Sequence, residues 1–208
     1  MNSVYAAADE KKATVLVGLD LSAAFDTINH DVLISRLESQ FGIDSGASSW
    51  LCSYLTDRQQ FVKVGNHSST ATQCASGVPQ GSVLGPLLFT AYVLPVGELI
   101  ESHGVSYHPF ADDMQLLVAM NVADAGPALE KLANCSTAVR LWFLRNDLQF
   151  SSDKSEVVIL ALHLSSGRLL ISAKSRSPAA GCICEKAEVI RRNDRLASAI
   201  RLSRQGGS

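Results

Sequence analysis

The sequence predicts an α+β fold, in which helices pack on one face of an antiparallel or mixed sheet. Short, β-branched apolar runs alternate with longer segments whose apolar residues recur every three or four positions. Their order along the chain is strand, helices, hairpin, helix, hairpin, helix and strand, with no internal repeat. The 208 residues and their 47% hydrophobic content are sufficient for one domain with a buried core.

A strand and two helices open the predicted core. Residues 13–21, ATVLVGLDL, suit a strand buried on both faces, with Asp20 near its C-terminal end. In residues 29–42, apolar side chains spaced by four lie between polar capping residues and the stop residue Gly42, which predicts an amphipathic helix. A second helical segment follows at residues 48–57.

Turn-forming residues organise the middle of the chain. Apolar residues alternate around Gly65 and Asn66, which predicts a hairpin. Residues 77–86 form a Gly/Pro-rich loop before the apolar helix of residues 87–101, and Pro95 is expected to kink or end the first part of that helix.

The last readable elements are a hairpin, a helix and a strand. Residues 105–120 predict a strand, a turn and a second strand, with Asp112 and Asp113 at the bend. A long helix follows from the cap residue Asp124, and residues 151–162 predict a loop and a closing strand. The helix is expected to bury one stripe, formed by Leu129, Leu132, Cys135, Val139, Trp142 and Phe143.

Charge is distributed unevenly along the chain. Residues 1–167 hold 9 Lys/Arg against 17 Asp/Glu, a net charge of −8, whereas residues 168–208 hold 9 against 3, a net charge of +6. The basic end can meet phosphate groups or can simply be solvated. The predicted parts are an N-terminal lead at 1–13, a globular core at 14–164 and a basic, poorly structured tail at 165–208 with a weak helix near 185–203.

Composition also bears on location and on thiol chemistry. No apolar stretch reaches the roughly 20 residues that span a bilayer, and the N-terminus lacks the apolar region of a signal peptide. We therefore expect an intracellular protein, nuclear or cytoplasmic, that is not secreted and has no membrane partner. The five scattered cysteines predict reduced thiols, because Cys182 and Cys184 have no second ligand pair at metal-site spacing.

Three carboxylates are the candidates for chemistry. If the strand that ends near Asp20 neighbours the hairpin that carries Asp112 and Asp113, the three side chains lie within a few ångströms. Their charges then repel strongly unless one carboxylate is protonated or cations bind. Oxygen ligands favour Mg²⁺ or Mn²⁺, and two such ions roughly 4 Å apart promote in-line phosphoryl displacement. The cluster therefore predicts nucleotidyl transfer.

The same residues lie in blocks that resemble the reverse transcriptase of a non-LTR (LINE-type) retrotransposon. GLDLSAAFDTINHDVL resembles the family's motif A, SGVPQGSVLGPLLF its motif B and FADDMQLL its motif C, in that order. LWFLRNDLQFSSDKSEVVIL resembles the segment that leads into motif D, so the similarity covers residues 14–162. The resemblance implies a polymerase palm and an RNA-directed DNA polymerase. It also implies an RNA template with a DNA primer, deoxynucleoside triphosphates and two Mg²⁺ or Mn²⁺ ions.

The resemblance assigns roles by position. Asp20, Asp112 and Asp113 correspond to the metal-binding and catalytic carboxylates. Phe25 corresponds to an aromatic steric gate that excludes a ribose 2′-hydroxyl, and the alternative is that it is only a core aromatic. Lys154 corresponds to the motif D lysine that neutralises or protonates the leaving pyrophosphate, with a solvated surface lysine as the alternative.

Further positions match the substrate-binding parts of the family. Phe110 stands where motif C more commonly begins with tyrosine, so the ring is kept and the hydroxyl is lost. The loop against which template and incoming nucleotide rest corresponds to Gly77, Pro79, Gln80, Gly81 and Ser82. Glycines there let the backbone approach a base pair, and the Gln80 amide can hydrogen-bond without adding charge.

The chain departs from the family pattern at both ends. Only 19 residues precede Asp20, where the family has its fingers, so the fingers are expected to be largely missing and the domain truncated. No thumb or primer grip is recognisable after residue 164, and the net charge of −8 over residues 1–167 opposes polyanion binding. A second interpretation is therefore a non-catalytic retroelement remnant that folds partly and at most binds nucleic acid or protein. We expect the 208-residue chain alone to show little or no processive polymerisation.

Overall fold

The computed structural model describes residues 2–10, 12–121, 125–151, 155–163 and 168–176. The chain divides into two compact units, which we call the sheet unit and the helical unit. The sheet unit comprises Met1–Leu21, Val96–Trp142 and Phe150–Ser208, and the helical unit comprises Ser22–Pro95 and Phe143–Gln149. Within the described ranges, no helix is both long enough and apolar enough to cross a bilayer.

The α+β class and the antiparallel sheet predicted from the sequence are confirmed. The helices are α1 (Asn2–Asp9), α2 (His30–Phe41), α3 (Ser45–Leu55), α4 (Gly85–Val93), α5 (Val96–Ser102) and α6 (Gly126–Arg145). The strands are β1 (Ala13–Ser22), β2 (Gln59–Gln60), β3 (Lys63–Val64), β4 (His67–Ser68), β5 (Thr72–Gln73), β6 (Ser106–Phe110), β7 (Asp113–Met120), β8 (Gln149–Phe150), β9 (Glu156–His163) and β10 (Arg168–Arg176).

The main sheet has the strand order β10-β9-β1-β7-β6, with each neighbouring pair antiparallel, and β8 also pairs with β1. Along β1, odd-numbered residues 13–21 and Thr14 are buried, whereas residues 16, 18 and 20 are half-buried. On β7, residues 114, 116, 117, 118 and 120 are buried, and residues 113, 115 and 119 are exposed. The prediction that β1 is buried on both faces therefore holds for one face only. The other face, which we call the open face, is buried at Thr14 and Leu117 and more exposed towards Asp20 and Asp113.

Local capping sets the limits of α2, as the sequence predicts. The Asn29 side chain accepts hydrogen bonds from the backbone amides of Asp31 and Val32, at 3.1 and 3.2 Å. At the other end, Gly42 takes the left-handed conformation (φ 65°), and its amide donates to the Glu38 carbonyl oxygen. These contacts satisfy backbone groups that have no partner inside the helix. α3 begins at Ser45, three residues before its predicted start at residue 48.

The predicted hairpin and helix break are both confirmed. Val64 pairs with His67, so Gly65 and Asn66 form the two-residue turn between β3 and β4. Pro95 lies between α4 and α5, where its missing N–H and fixed φ favour ending a helix. Within the described part of the chain, Cys52, Cys74 and Cys135 are free thiols, and burial raises the pKa of Cys135 to about 11.

Two sequence-based expectations about packing need correction. Residues 2–9, within the predicted N-terminal lead, form α1, in which Val4, Ala7 and Ala8 are buried. Residues 168–176, expected to be poorly structured, form β10 along the edge of β9, because main-chain pairing needs no strong apolar pattern. Trp142, assigned to the buried stripe of α6, is only half-buried. The predicted features that lie outside the described residues are the cap Asp124, Lys154, the weak helix at 185–203, Cys182 and Cys184.

A partly buried cluster holds residues 143–149 in the helical unit. The Arg36 guanidinium lies 4.6 Å from the centre of the Tyr92 ring and donates to the Tyr92 carbonyl and the Asn146 side chain. The Tyr92 hydroxyl donates to the Asn146 carbonyl oxygen at 2.9 Å. Burial lowers the pKa of Arg36 and raises that of Tyr92. These contacts join α2 and α4 to the segment after α6.

Candidate active site

Two of the predicted carboxylates lie opposite each other on the open face of the sheet. In the β1–β7 pair, Asp20 is the cross-strand partner of Asp113. Directly opposed residues have Cβ atoms roughly 4.5–5.5 Å apart and project to the same face. Asp20 is half-buried with its Oδ1 atom shielded from solvent, and Asp113 is exposed. The register therefore concentrates negative charge at one end of the open face.

Asp112 occupies a different position from Asp113. It lies in the turn between β6 and β7, beside Ala111, whose φ is 53°. Because Asp112 lies in the turn and outside the β1–β7 register, that register does not pair it with Asp20. Among the residues that the structure describes, no three His, Cys, Asp or Glu side chains are grouped as a metal site.

The donor chemistry nevertheless fits a hard divalent cation. The opposed side chains of Asp20 and Asp113 offer only carboxylate oxygens, which suit Mg²⁺ or Mn²⁺. Mg²⁺ is commonly held by one or two carboxylates and completes its coordination with water and substrate phosphate. Two aligned carboxylates at an open sheet face thus match this cation better than they match the four-ligand cage of a structural zinc site.

Phe110 flanks the acidic pair in the neighbouring strand. It is the cross-strand partner of Asp113 in the β6–β7 pair, and its side chain is 74% exposed. β6 is the edge strand, which tolerates Pro109 because an outward position needs no N–H donor. The open face therefore presents an exposed aromatic ring beside its carboxylates.

Phe25 lies in the helical unit, in the segment after β1. Its half-buried ring packs against Phe89 of α4, with ring centroids 5.0 Å apart and an interplanar angle of 32°. Phe89 is fully buried, so it supports the Phe25 ring from the core side. A ring that is supported on one side and partly exposed on the other is compatible with both the gate and the core-aromatic interpretations.

The loop of residues 77–82 is fastened to that same segment. The Gly77 amide donates to the Ile28 carbonyl oxygen at 2.8 Å, and the Val78 amide donates to the Phe25 carbonyl oxygen at 2.7 Å. Gly77 has a φ of 82°, and a Cβ atom there would lie 2.7 Å from the Asp26 carbonyl oxygen. Only glycine fits this backbone conformation and this close approach.

The rest of the loop is held by side chains. The Gln80 amide nitrogen lies 3.4 Å from each carboxylate oxygen of Asp26. Ser82 donates to the Pro79 carbonyl oxygen at 2.7 Å and accepts from the Gly85 amide at 3.0 Å, which ties the loop to the first turn of α4. Gly81, with a φ of 78°, makes the remaining turn. All five predicted loop residues thus belong to one continuous, ordered turn.

The loop borders an open, polar cleft of about 800 Å³ within the helical unit. Its lining includes residues that the sequence motifs did not single out, namely Asp26, Arg58, Gln59, Gln60, Gln73 and Cys74. Asp26 follows Phe25 within motif A, and this position is the only sequence signal for its place in the cleft lining. Lys154 lies outside the described residues, so its proposed role stays a prediction.

An antiparallel sheet with two opposed aspartates at one end is compatible with metal-dependent phosphoryl-transfer chemistry. The chain matches the family "Reverse transcriptase (RNA-dependent DNA polymerase)" over residues 1–188 and belongs to that family. It is 33% identical over 152 residues to a probable RNA-directed DNA polymerase from transposon BS of Drosophila melanogaster. That match covers 71% of this chain and 16% of the relative.

Other relatives point to the same group of elements. A Pol polyprotein from the type-1 retrotransposable element R2 of Popillia japonica is 33% identical over 120 residues, covering 52% of this chain and 17% of the relative. The mobile element jockey of Drosophila melanogaster encodes an RNA-directed DNA polymerase that is 31% identical over 123 residues, covering 56% of this chain and 13% of the relative. The matches therefore cover between 13% and 17% of the length of these proteins.

Solved structures share the fold at low sequence identity. Apo telomerase from Candida tropicalis superposes with a TM-score of 0.57 and 13% identity over 82% of this chain and 38% of that chain. Telomerase from Candida albicans, solved with a fragment of telomeric RNA, gives 0.55 and 14% over 82% of this chain and 33% of that chain. At this identity, the similarity concerns the fold alone.

Proposed function

We propose that this chain is the palm of an RNA-directed DNA polymerase that adds deoxynucleotides to a primer 3′-hydroxyl on an RNA template. The observation that carries the proposal is the direct opposition of Asp20 and Asp113 on the open face, in a chain of the reverse transcriptase family. The RNA-directed DNA polymerases named among its relatives support the substrate class.

The carboxylates act as metal ligands in this proposal. Asp20 and Asp113 would hold two Mg²⁺ or Mn²⁺ ions, and Asp112 would contribute from the adjoining turn. When bound, such ions lower the barrier to in-line attack by stabilising the attacking and leaving oxygens. The opposed carboxylates lose their mutual repulsion at the same time, because the cations compensate their charge.

The remaining residues orient the nucleotide. The loop of Gly77, Pro79, Gln80, Gly81 and Ser82 supports the nascent base pair, with Gln80 held by Asp26. The Phe25 ring packs against Phe89 and in this proposal would collide with a ribose 2′-hydroxyl. The exposed Phe110 ring lies opposite Asp113 and would contact the primer end. Lys154 neutralises or protonates the departing pyrophosphate. Such positioning contributes roughly 7–11 kcal/mol to catalysis when it is accurate.

Primer extension tests the proposed function directly. The 208-residue chain is compared with the extended chain, by which we mean the same residues together with the in-frame coding sequence upstream of codon 1. With an RNA template and Mg²⁺ or Mn²⁺, the extended chain is expected to add deoxynucleotides to the primer. No nucleotide addition by the extended chain would refute the proposed function. Equal rates from both chains would show that the 208 residues suffice for synthesis.

Replacing Phe25 with valine is expected to relax sugar selection. The smaller side chain leaves room for a 2′-hydroxyl, so ribonucleotide incorporation relative to deoxyribonucleotide should rise roughly tenfold or more. Single-nucleotide incorporation by the extended chain measures this ratio. Phe61→Val is the matched control, because that ring is 60% exposed on the hairpin. An unchanged ratio in Phe25→Val would assign Phe25 to packing alone.

The second candidate function is that of a non-catalytic remnant that binds nucleic acid or protein. Metal-dependent primer extension separates the two candidates, since a remnant would bind template and primer without adding nucleotides.

A further inference from the structure

The carbonyl oxygen of Gly77 receives two side chains that lie outside the motif loop. His30 Nε2 lies 2.8 Å from this oxygen, and the Arg58 guanidinium also donates to it. Arg58 donates in addition to the carbonyl oxygens of Ser76, at 3.2 Å, and Leu55, at 2.9 Å. A carbonyl oxygen has two lone pairs, so both donors can be satisfied at one acceptor.

The local fold fixes where both donors lie. His30 is the first residue of α2 and follows the Asn29 cap, so its side chain projects from a defined helix start. Arg58 follows Asp57, whose φ of 55° turns the chain sharply after α3, and the Arg58 carbonyl accepts from the Cys74 amide at 2.8 Å. Both side chains are half-buried. Arg58 thus stands between the end of α3 and the strand that leads into the loop.

The protonation of His30 follows from its partner. A carbonyl oxygen only accepts, so Nε2 must carry a proton to bond with Gly77. The Arg58 Nη2 atom lies 3.5 Å from His30 Nε2, and both groups are therefore donors that converge on the same oxygen. The side chain at position 30 must therefore place an N–H donor within hydrogen-bond distance of the Gly77 carbonyl oxygen.

Gly77 is also the residue through which the loop is joined to the segment carrying Phe25. The Gly77 and Val78 amides donate to Ile28 and Phe25, while the Gly77 carbonyl is held from the other side by His30 and Arg58. The Gly77–Val78 peptide is therefore fixed at its donor group, the Val78 amide, and at its acceptor group, the Gly77 carbonyl. Movement of this peptide would shift the 77–82 loop relative to the segment that carries Phe25.

We propose that His30 and Arg58 are positioning residues that hold the 77–82 loop in register with the Phe25 segment, and through that register set nucleotide affinity and sugar selection. The consequence for nucleotides rests on the proposed function above. The hydrogen bonds of His30 and Arg58 to the Gly77 carbonyl, which we call the clamp, lie within the helical unit. The clamp and its effect on nucleotides are therefore tested separately.

Hydrogen exchange of the 208-residue chain tests the clamp. His30→Ala and Arg58→Lys are expected to speed exchange of the Gly77 and Val78 amides about tenfold, because each loses a bond that resists local opening. Lysine keeps the charge but lacks the planar fork that spans several carbonyls. His30→Gln should restore slow exchange, because its amide nitrogen replaces the ring Nε2 donor. Arg140→Lys and His103→Gln, which alter exposed or half-exposed positions in the sheet unit, serve as controls.

The functional part is tested by single-nucleotide incorporation in the extended chain. His30→Ala and Arg58→Lys should raise KM for deoxynucleotides about tenfold and lower discrimination against ribonucleotides, with a smaller change in kcat. Unchanged amide exchange in both variants would overturn the clamp. Faster exchange with unchanged KM and discrimination would overturn its link to nucleotide selection. Absence of extension by the unmodified extended chain refutes the proposed function, whereas amide exchange still decides the clamp.

Discussion

Asp113→Asn is expected to stabilise the metal-free chain while abolishing primer extension. In the β1–β7 register the Asp113 carboxylate directly opposes that of Asp20, and like charges at such a pair are destabilising. Removing one charge should therefore raise the free energy of unfolding without metal by roughly 0.2–1 kcal/mol. Extension should fall by at least about a thousandfold, since a metal ligand supplies several kcal/mol of transition-state stabilisation.

With divalent cations, the unmodified chain should become more stable than Asp113→Asn. Mg²⁺ or Mn²⁺ is expected to raise the Tm of the unmodified chain, because ligands that bind only the folded state stabilise it by mass action. Asp113→Asn should lose most of this increase. Asp112→Asn should also abolish extension, but should gain less stability without metal, because Asp112 lies in the turn and not opposite Asp20.

Glu130→Gln, at an exposed position on α6, controls for the loss of one negative charge. Thermal unfolding with and without Mn²⁺ and primer extension by the extended chain are the two measurements. An equal Mn²⁺ shift in Asp113→Asn and the unmodified chain would remove Asp113 from the metal site. Full extension by Asp112→Asn would remove Asp112 from the catalytic set.

Gly77→Ala is expected to cause the largest loss of stability among substitutions in the motif loop. Its φ of 82° is costly for any residue with a side chain, and its Cβ would lie within 2.8 Å of backbone atoms of both Asp26 and Phe25. The left-handed conformation costs roughly 1–2 kcal/mol. Overpacking of the new Cβ atom against the backbone costs roughly 1–3 kcal/mol more. Denaturant unfolding of the 208-residue chain should show the combined loss.

Gly81→Ala is the matched control for this effect. Gly81 has a similar φ of 78°, but a Cβ atom there would meet nothing within 4 Å. Alanine at this position should therefore cost only the roughly 1–2 kcal/mol of the left-handed conformation. The difference between the two variants isolates the close approach of the loop to the Phe25 segment. Equal destabilisation would show that this approach can relax without cost.

Several elements could be predicted because their causes are local in the chain. The α2 limits depend on Asn29 and Gly42, which act on backbone groups within one helical turn. The β3–β4 turn depends on Gly65 and Asn66, and the break between α4 and α5 depends on Pro95. The ordered motifs likewise identified the family, because each motif is a short contiguous pattern.

The packing of edges and surfaces could not be predicted in this way. β10 forms by main-chain pairing with β9, and α1 buries only small apolar residues, so neither has a strong periodic pattern. The half-buried position of Trp142 depends on neighbours that are distant in the sequence. The half-buried state of residues 16, 18 and 20 on one face of β1 likewise depends on neighbours that an apolar run cannot reveal.

By itself, the sequence determined the α+β class, the family and the candidate carboxylates, since these depend on residue types at short, fixed spacings. Only the tertiary structure decided that Asp113, and not Asp112, opposes Asp20, because strand register is a relation between distant segments and a shift of one residue changes the face. It also decided that His30 and Arg58 meet at the Gly77 carbonyl. Those contacts join residues 19 and 47 positions apart, and only folding brings such residues together.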